Sequence, residues 1–525
     1  MNRSGWKLTV SSAAVAGLLT VAGCTADDEG PGAAGTSGPA SAPAPSASSS
    51  PAAPAAAEGV VRSTGDLMGV PVEVAVGPVE VRDGVAVVPA EYTVAPDRLA
   101  DFVERVNDLG MVLDGEARGG GDAGGLMMID DDARTVAVAS STTDDGVASS
   151  FVIDDEAEGY AARSVTAFPA PSGDAVDVLI PHLGFVLDVP VTDASSGFDE
   201  ALAEIGPVAE REPFEMRGYS QAYDDSSSTT QEAERVTVTL TSDVLFDSSS
   251  AELSAKAKKA IVQVVEQIKA DSEEGAVSVV GHTDDVDTDA FNQKLSEKRA
   301  KAVASRLKAA LGSGFSVESE GRGESEPVAE GTSGAARAAN RRVEISFDGH
   351  AFEPEAAATA SGVPDTQAPV GTAGETLSVS PNDDVTYGVT VDSMTRTNGM
   401  LYGSVRLELL KGEGASTMWG VLRPGQDEAD SLPGRGFGVF DTVASAHNLA
   451  LLTPDARVYP FDFRWKDDDG EIARALVGDD FLAWSPKTEG QSMMATAVWP
   501  DTGQDTVTLE VPGKFRITDI PVTEG

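Results

Sequence analysis

Residues 281–299 read Gly-His-Thr-Asp-Asp-Val-Asp-Thr-Asp-Ala-Phe-Asn-Gln-Lys-Leu-Ser-Glu-Lys-Arg, and about forty residues later come Asn-Arg-Arg-Val-Glu-Ile, 340–345. Ala276, Val277, Val279 and Val280 have the length and branching of a short buried strand, and Gly281 ends it. An acidic loop follows. The next stretch has the helical period from about Asp289 to Leu311, with Gly312 as its stop. At 100° per residue, Asn292, Leu295, Arg299 and Val303 share one side of that helix. A guanidinium on an apolar arc is costly unless it pairs. Spacing alone leaves two partners open for Arg299. One is an internal salt bridge to Asp284 or Asp287. The other is a small zwitterionic ligand that Asp284 also meets.

Working outward, Val236, Val238 and Leu240 alternate as a strand. Phe246-Asp247 and Ser248 to Ser250 lead into a first helix, for which Ser249 and Glu252 form a candidate capping box. Leu253, Ala257, Ile261, Val264, Val265 and Ile268 give it one apolar stripe. Phe315 and Val317 open another strand, and Arg342 to Phe347 are the last. Strand, helix, strand, helix, strand, strand predicts an α/β sandwich over 235–350, with helices on one face of a mixed sheet.

A set of residues in this region resembles the OmpA-like peptidoglycan-binding family. The set is Phe246-Asp247, Gly281-His282-Thr283-Asp284, Asn292, Leu295-Ser296, Arg299-Ala300, Gly321-Arg322-Gly323-Glu324, Pro327 and Asn340-Arg341-Arg342-Val343-Glu344. It covers about 110 of the 525 residues. The resemblance implies that Asp284 and Arg299 hold diaminopimelate of the peptidoglycan stem peptide. Asp284 would pair with its ammonium, and Arg299 would take its carboxylate by a forked contact. Thr283 and Asn292 would add neutral hydrogen bonds, and one of Arg341 or Arg342 a second cationic contact. The chain departs from the family pattern at Gly331 and at Ala336-Arg337, in the loop before the last strand.

The N-terminus reads as an export signal. Arg3 and Lys7 precede the apolar run Leu8 to Val21, and Leu19-Thr20-Val21-Ala22-Gly23 leads into Cys24, the only cysteine. Small residues running into a lone cysteine resemble a bacterial lipobox. Residues 1–23 are then a lipoprotein signal peptide, with Cys24 lipidated and the chain held at the extracytoplasmic face of the membrane (the outer membrane in a two-membrane cell). One cysteine permits no intrachain disulfide. No later segment approaches the ~20 apolar residues that span a bilayer. Residues 24–58 are nearly all Ala, Pro, Ser, Gly and acids, a composition that predicts a disordered tether. The net charge is −47, from 85 acidic and 38 basic residues, which argues against nucleic acid as a partner.

Two flanking segments, 60–195 and 375–525, read as mainly β. Val70, Val72, Val74 and Val76 alternate, and so do Val385, Tyr387, Val389 and Val391. Asp83-Gly84 and Asn398-Gly399 are hairpin turns between alternating runs. A helix is expected over 97–113, with Leu99, Phe102, Val103 and Val106 on one face. The two segments end alike, in Val176-Asp177-Val178-Leu179-Ile180-Pro181 with Asp188-Val189-Pro190-Val191, and in Val507-Thr508-Leu509-Glu510-Val511-Pro512 with Asp519-Ile520-Pro521-Val522. They read as divergent copies of one sandwich-like module. Residues 196–234 read as a partly ordered connector and 351–374 as a second linker.

Asp285-Val286-Asp287-Thr288-Asp289 begins like a calcium loop but has Ala290 at its sixth position and Ser296 at its twelfth. Its aspartates are expected to cap the second helix, and Asp467-Asp468-Asp469-Gly470 to form a turn. The four histidines are scattered, so neither a metal nor any cofactor is expected. No nucleophile elbow or phosphate loop occurs, and no enzyme activity is expected. The expected function is a lipid-anchored tether that binds peptidoglycan without covalent chemistry. Two other classes stay open: an envelope adaptor whose β modules bind a protein partner, and a cell-wall enzyme.

Overall fold

The computed structural model describes residues 59–102, 125–143, 147–153, 162–209, 211–247, 249–329, 331–350, 352, 362–413, 419–424, 446–466, 472–478, 486 and 488–525. The expected signal peptide, Cys24, the expected tether over 24–58, most of the helix expected over 97–113, part of the second linker and Asp467 to Gly470 lie outside the described residues. No helix among them is long and apolar enough to cross a membrane. Residues 57–525 form one compact unit.

The two flanking segments share one pairing scheme. In the first, Val61–Leu67, Val70–Val76, Val85–Thr93 and Ala162–Pro169 pair antiparallel in that order. Gly184–Asp193, Ala175–Ile180, Met127–Asp130 and Thr135–Val138 form the facing layer. In the second, Leu377–Val379, Thr386–Thr390, Met400–Lys411 and Ser492–Pro500 repeat the first order. Phe515–Glu524, Thr506–Val511, Ala450–Leu452 and Ala456–Lys466 repeat the other. Both hairpin turns take positive φ at both central residues, 52° and 80° at Asp83-Gly84 and 46° and 74° at Asn398-Gly399. That backbone matches the right-handed twist of the strands they join. Each segment buries valines, leucines and aromatics between its layers.

The two segments also share a core. Ile129, Val136 and Leu179 of the first pack with Tyr402, Phe461, Phe463 and Val498 of the second. Phe185 meets Tyr402 edge-on with centroids 4.8 Å apart.

Residues 196–234 are more than a connector. They form a helix, Phe198–Ile205, and two strands, Phe214–Ala222 and Ser227–Glu232. Phe214–Ala222 pairs at its start with Thr135–Val138, then along Ala456–Lys466, and through Ser227–Glu232 it reaches the central sheet. One strand therefore ties three parts of the chain together. Its Arg217 forks Asp462 at 2.6 and 2.7 Å, both side chains buried. In the second linker, Val370–Thr372 is a strand that pairs parallel with Phe515–Glu524.

The central sheet runs Arg235–Thr241, Arg342–Asp348, Gly275–His282 and Phe315–Gly323, with the last pair parallel. Helices Ala255–Asp271 and Asp289–Leu311 pack on one face through Ile261, Val264, Val303 and Leu307 against Val238, Val279 and Ile345. The α/β sandwich is thus present. Three local readings fail. The first helix is capped by Ser254, whose hydroxyl accepts from Ala257 N–H, and not by Ser249. Val277 and Val279 are buried, but Ala276 is exposed and Val280 only half-buried, because the sheet is covered on one side. The second helix runs Asp289–Leu311, with Thr288 rather than an aspartate as its cap and Gly312 at φ 93°.

That helix lies close on the sheet because of two glycines. A Cβ on Gly281 would meet Ser296 O at 2.5 Å, and one on Gly321 would meet Glu297 N at 2.3 Å.

Candidate functional site

Four segments converge at the open ends of the central strands. The short helix Ser242–Leu245 brings Asp243, and the bend after it brings Phe246, Asp247 and Ser249. The loop after Gly275–His282 brings Thr283, Asp284, Val286 and Asp287, the second long helix brings Phe291, Asn292, Leu295 and Arg299, and the turn before the last strand brings Arg341. Together they enclose a pocket of about 530 Å³.

Arg299 is 5% exposed. Its Nε donates to the Ser250 carbonyl at 3.0 Å, and its guanidinium lies 5.1 Å from the centre of the Phe246 ring. Among the described residues no carboxylate stands within ion-pair distance of it. The internal salt bridge to Asp284 or Asp287 is therefore not formed. Burial pushes its pKa below the ordinary value, while Asp243 and, more weakly, Asp284 act against that.

Asp284 pairs instead with Arg341, whose Nη1 donates to its Oδ2 at 2.8 Å. The Nε and Nη2 of Arg341 fork Asp243 at 3.0 and 2.6 Å. That fork raises the pKa of Arg341, and it holds the Asp243 carboxyl below its usual range. Thr283 is 4% exposed, and its hydroxyl has no partner among the described residues. A buried hydroxyl left unpaired costs about 1–3 kcal/mol.

Two expected contacts change role. Asn292 lines the pocket, but its amide donates to the carbonyls of Asp284 and Val286 at 3.2 and 2.8 Å and to Glu324. It shapes the acidic loop. Arg342 does not line the pocket: it pairs with Glu344 at 2.7 Å, and its Nη2 donates to the Glu326 carbonyl. Arg341 closes the helix Gly334–Asn340 and Arg342 opens the last strand, which parts the two side chains.

Arg337, next to Ala336, forks Asp285 at 2.6 and 3.0 Å and ties the acidic loop to the helix Gly334–Asn340. His282 is 1% exposed, and neither ring nitrogen has a hydrogen-bond partner. Burial, reinforced by Arg342, pushes its pKa down to about 4, so it is neutral at pH 7. Sequence reading missed Asp243 and the apolar lip. Val286 and Phe291 are 45% and 43% exposed at the mouth.

The OmpA family model matches residues 245–341, the stretch that builds most of this pocket. The chain carries an OmpA-like domain. It is 49% identical over 77 residues to outer membrane porin F of Pseudomonas aeruginosa, covering 14% of this chain and 22% of that protein. It is 38% identical over 122 residues to outer membrane protein A of Klebsiella pneumoniae, covering 21% and 36%. The chain thus spans only part of the length of these curated relatives. Among solved structures, a cell wall anchor of the T6SS from Pseudomonas aeruginosa is 33% identical, with 24% of this chain and 90% of that one covered and a TM-score of 0.23. The peptidoglycan-associated lipoprotein from Burkholderia pseudomallei is 28% identical, with 20% and 88% covered and a TM-score of 0.18.

Proposed function

We propose that the OmpA-like domain binds peptidoglycan non-covalently, through the diaminopimelate of its stem peptide, and that the chain is a lipid-anchored, non-catalytic tether between membrane and wall. The observation that carries this reading is Arg299, a buried guanidinium facing a pocket without a carboxylate of its own, with Asp284 on the same wall. A ligand end bearing one carboxylate and one ammonium matches that pair. The carboxylate gives Arg299 the forked partner that the fold withholds, and the ammonium takes the Asp284 oxygen not held by Arg341. Thr283, whose hydroxyl has no partner among the described residues, lines the same pocket. The family match over 245–341 and the residue pattern noted above support the same ligand. Cys24 is the proposed lipid attachment.

Co-sedimentation with purified sacculi tests the reading. Wild type should pellet with diaminopimelate-containing wall, and Asp284→Asn and Arg299→Lys should stay in the supernatant. Pelleting of both variants like wild type would remove Asp284 and Arg299 from the contact. Cys24→Ser should release the chain from the membrane fraction or leave an unprocessed precursor, and normal retention with processing would exclude the lipid as anchor.

A further inference from the structure

We propose that Asp243 sets the pocket's preference for a ligand ammonium, acting as a positioning residue through Arg341. This rests on the zwitterion reading above and assigns a role to a residue 98 positions away from its partner in the chain. Both Asp243 oxygens are engaged by one guanidinium, through Nε and Nη2. With its Nε and Nη2 edge turned to Asp243, Arg341 meets Asp284 through Nη1 and at a single oxygen, Oδ2. The other, Oδ1, accepts only a long 3.4 Å bond from Val286 N–H. Asp284 is thus held by one oxygen with the second open to an incoming donor. Charge follows the same division. Asp243 neutralises Arg341, so the Asp284 charge stays available to an ammonium. Without Asp243, the freed guanidinium can turn its fork onto Asp284, engage both oxygens and cancel the charge. The ligand carboxylate, held by Arg299, would not be weakened, because the change takes a negative charge away from that guanidinium. The preference for ammonium, rather than affinity as a whole, depends on Asp243.

Two probes separate these effects: the tripeptide L-Ala-γ-D-Glu-meso-diaminopimelate, and the same peptide ending in aminopimelate, which lacks the distal ammonium. Each is titrated calorimetrically into the full chain in detergent, with thermal melts in parallel. Asp243→Asn should weaken the diaminopimelate peptide about fivefold, the scale of an exposed forked pair, and should not weaken the aminopimelate peptide. On an Arg341→Gln background, Asp243→Asn should add nothing. Asp243→Glu should restore part of the preference. Equal weakening of both peptides, no weakening, or additivity with Arg341→Gln would each overturn the inference. If wild type binds neither peptide, the zwitterion reading itself falls, which is a different result from wild-type binding with an unchanged Asp243→Asn.

Discussion

Replacing Arg299 with Met should leave the fold nearly as stable as wild type while removing ligand binding. Methionine keeps an unbranched stem and a similar helix propensity. Two interactions are lost. A hydrogen bond from a charged donor, here to the Ser250 carbonyl, contributes about 1.5–3 kcal/mol. A partly desolvated guanidinium over a ring, here Phe246, contributes about 0.5–2 kcal/mol. Against these stands the relief of a buried ion, an effective penalty of several kcal/mol. The terms are of similar size, so the net change should fall within about ±1 kcal/mol. Had Arg299 been one half of a buried ion pair, truncation would cost about 3–5 kcal/mol. Binding should fall by about thirtyfold or more, because losing one partner of a desolvated charged contact costs about 2–5 kcal/mol. Denaturant melts with and without diaminopimelate peptide read both quantities. At a hundred times the wild-type dissociation constant the ligand should stabilise wild type by about 2.7 kcal/mol and the variant, bound about thirtyfold or more weakly, by less than about 1 kcal/mol. A loss above about 3 kcal/mol in the absence of ligand would show that Arg299 is a structural residue, and the reasoning from an unpaired guanidinium would be refuted.

Three other outcomes are expected. His282 has its pKa lowered to about 4 in the fold against about 6.5 unfolded, so the unfolded chain binds the extra proton between those values. Its contribution is complete above pH 6.5 and is lost as pH falls toward 4, at up to about 1.4 kcal/mol per unit, and His282→Gln should flatten that part of a stability-against-pH curve. Asp131, at the seam between the β segments, accepts from the Tyr402 hydroxyl at 2.8 Å, and burial, with Asp177 beside it, pushes its pKa up to about 8. The raised value means that its contribution is present below about pH 4 and lost as pH rises through 8, so Asp131→Asn should make urea melts less sensitive to pH across that window. Gly321→Ala drives a methyl into the Glu297 backbone, a clash expected to cost about 1–3 kcal/mol and to weaken ligand binding by lifting the Arg299 helix; unchanged melting would remove the close approach as its cause.

Much of the central fold was legible. The second helix declared its span through Asp289 and Gly312, though its cap is Thr288, and the hairpins declared themselves through Asp83-Gly84 and Asn398-Gly399, because those residues act locally. The first cap was misread because Ser248 to Ser250 offer hydroxyls in a row, whereas Phe246 bridges to Leu253 and delays the helix to Ala255. Ser227–Glu232 hid as a connector because Ser-Ser-Thr-Thr-Gln-Glu shows no apolar alternation. It is a strand because neighbours on both sides pair with it. Asp284 and Arg299 could be named from pattern, but their relation could not. The Asp284 carboxylate belongs to Arg341, 57 residues away, and that pairing leaves Arg299 without one.

The strand Phe214–Ala222 has a mechanical consequence. A domain hung on a slack linker swivels, so a partner that grips it learns nothing about the orientation of the rest. Here the sheet that carries the pocket continues strand by strand into the β segments, pinned by the Arg217–Asp462 fork. A pull at the pocket passes through rows of hydrogen bonds and reaches those segments as torque as well as tension. Whatever holds the pocket therefore also sets the heading of the β segments, and their outer faces are offered to the surroundings at a fixed angle.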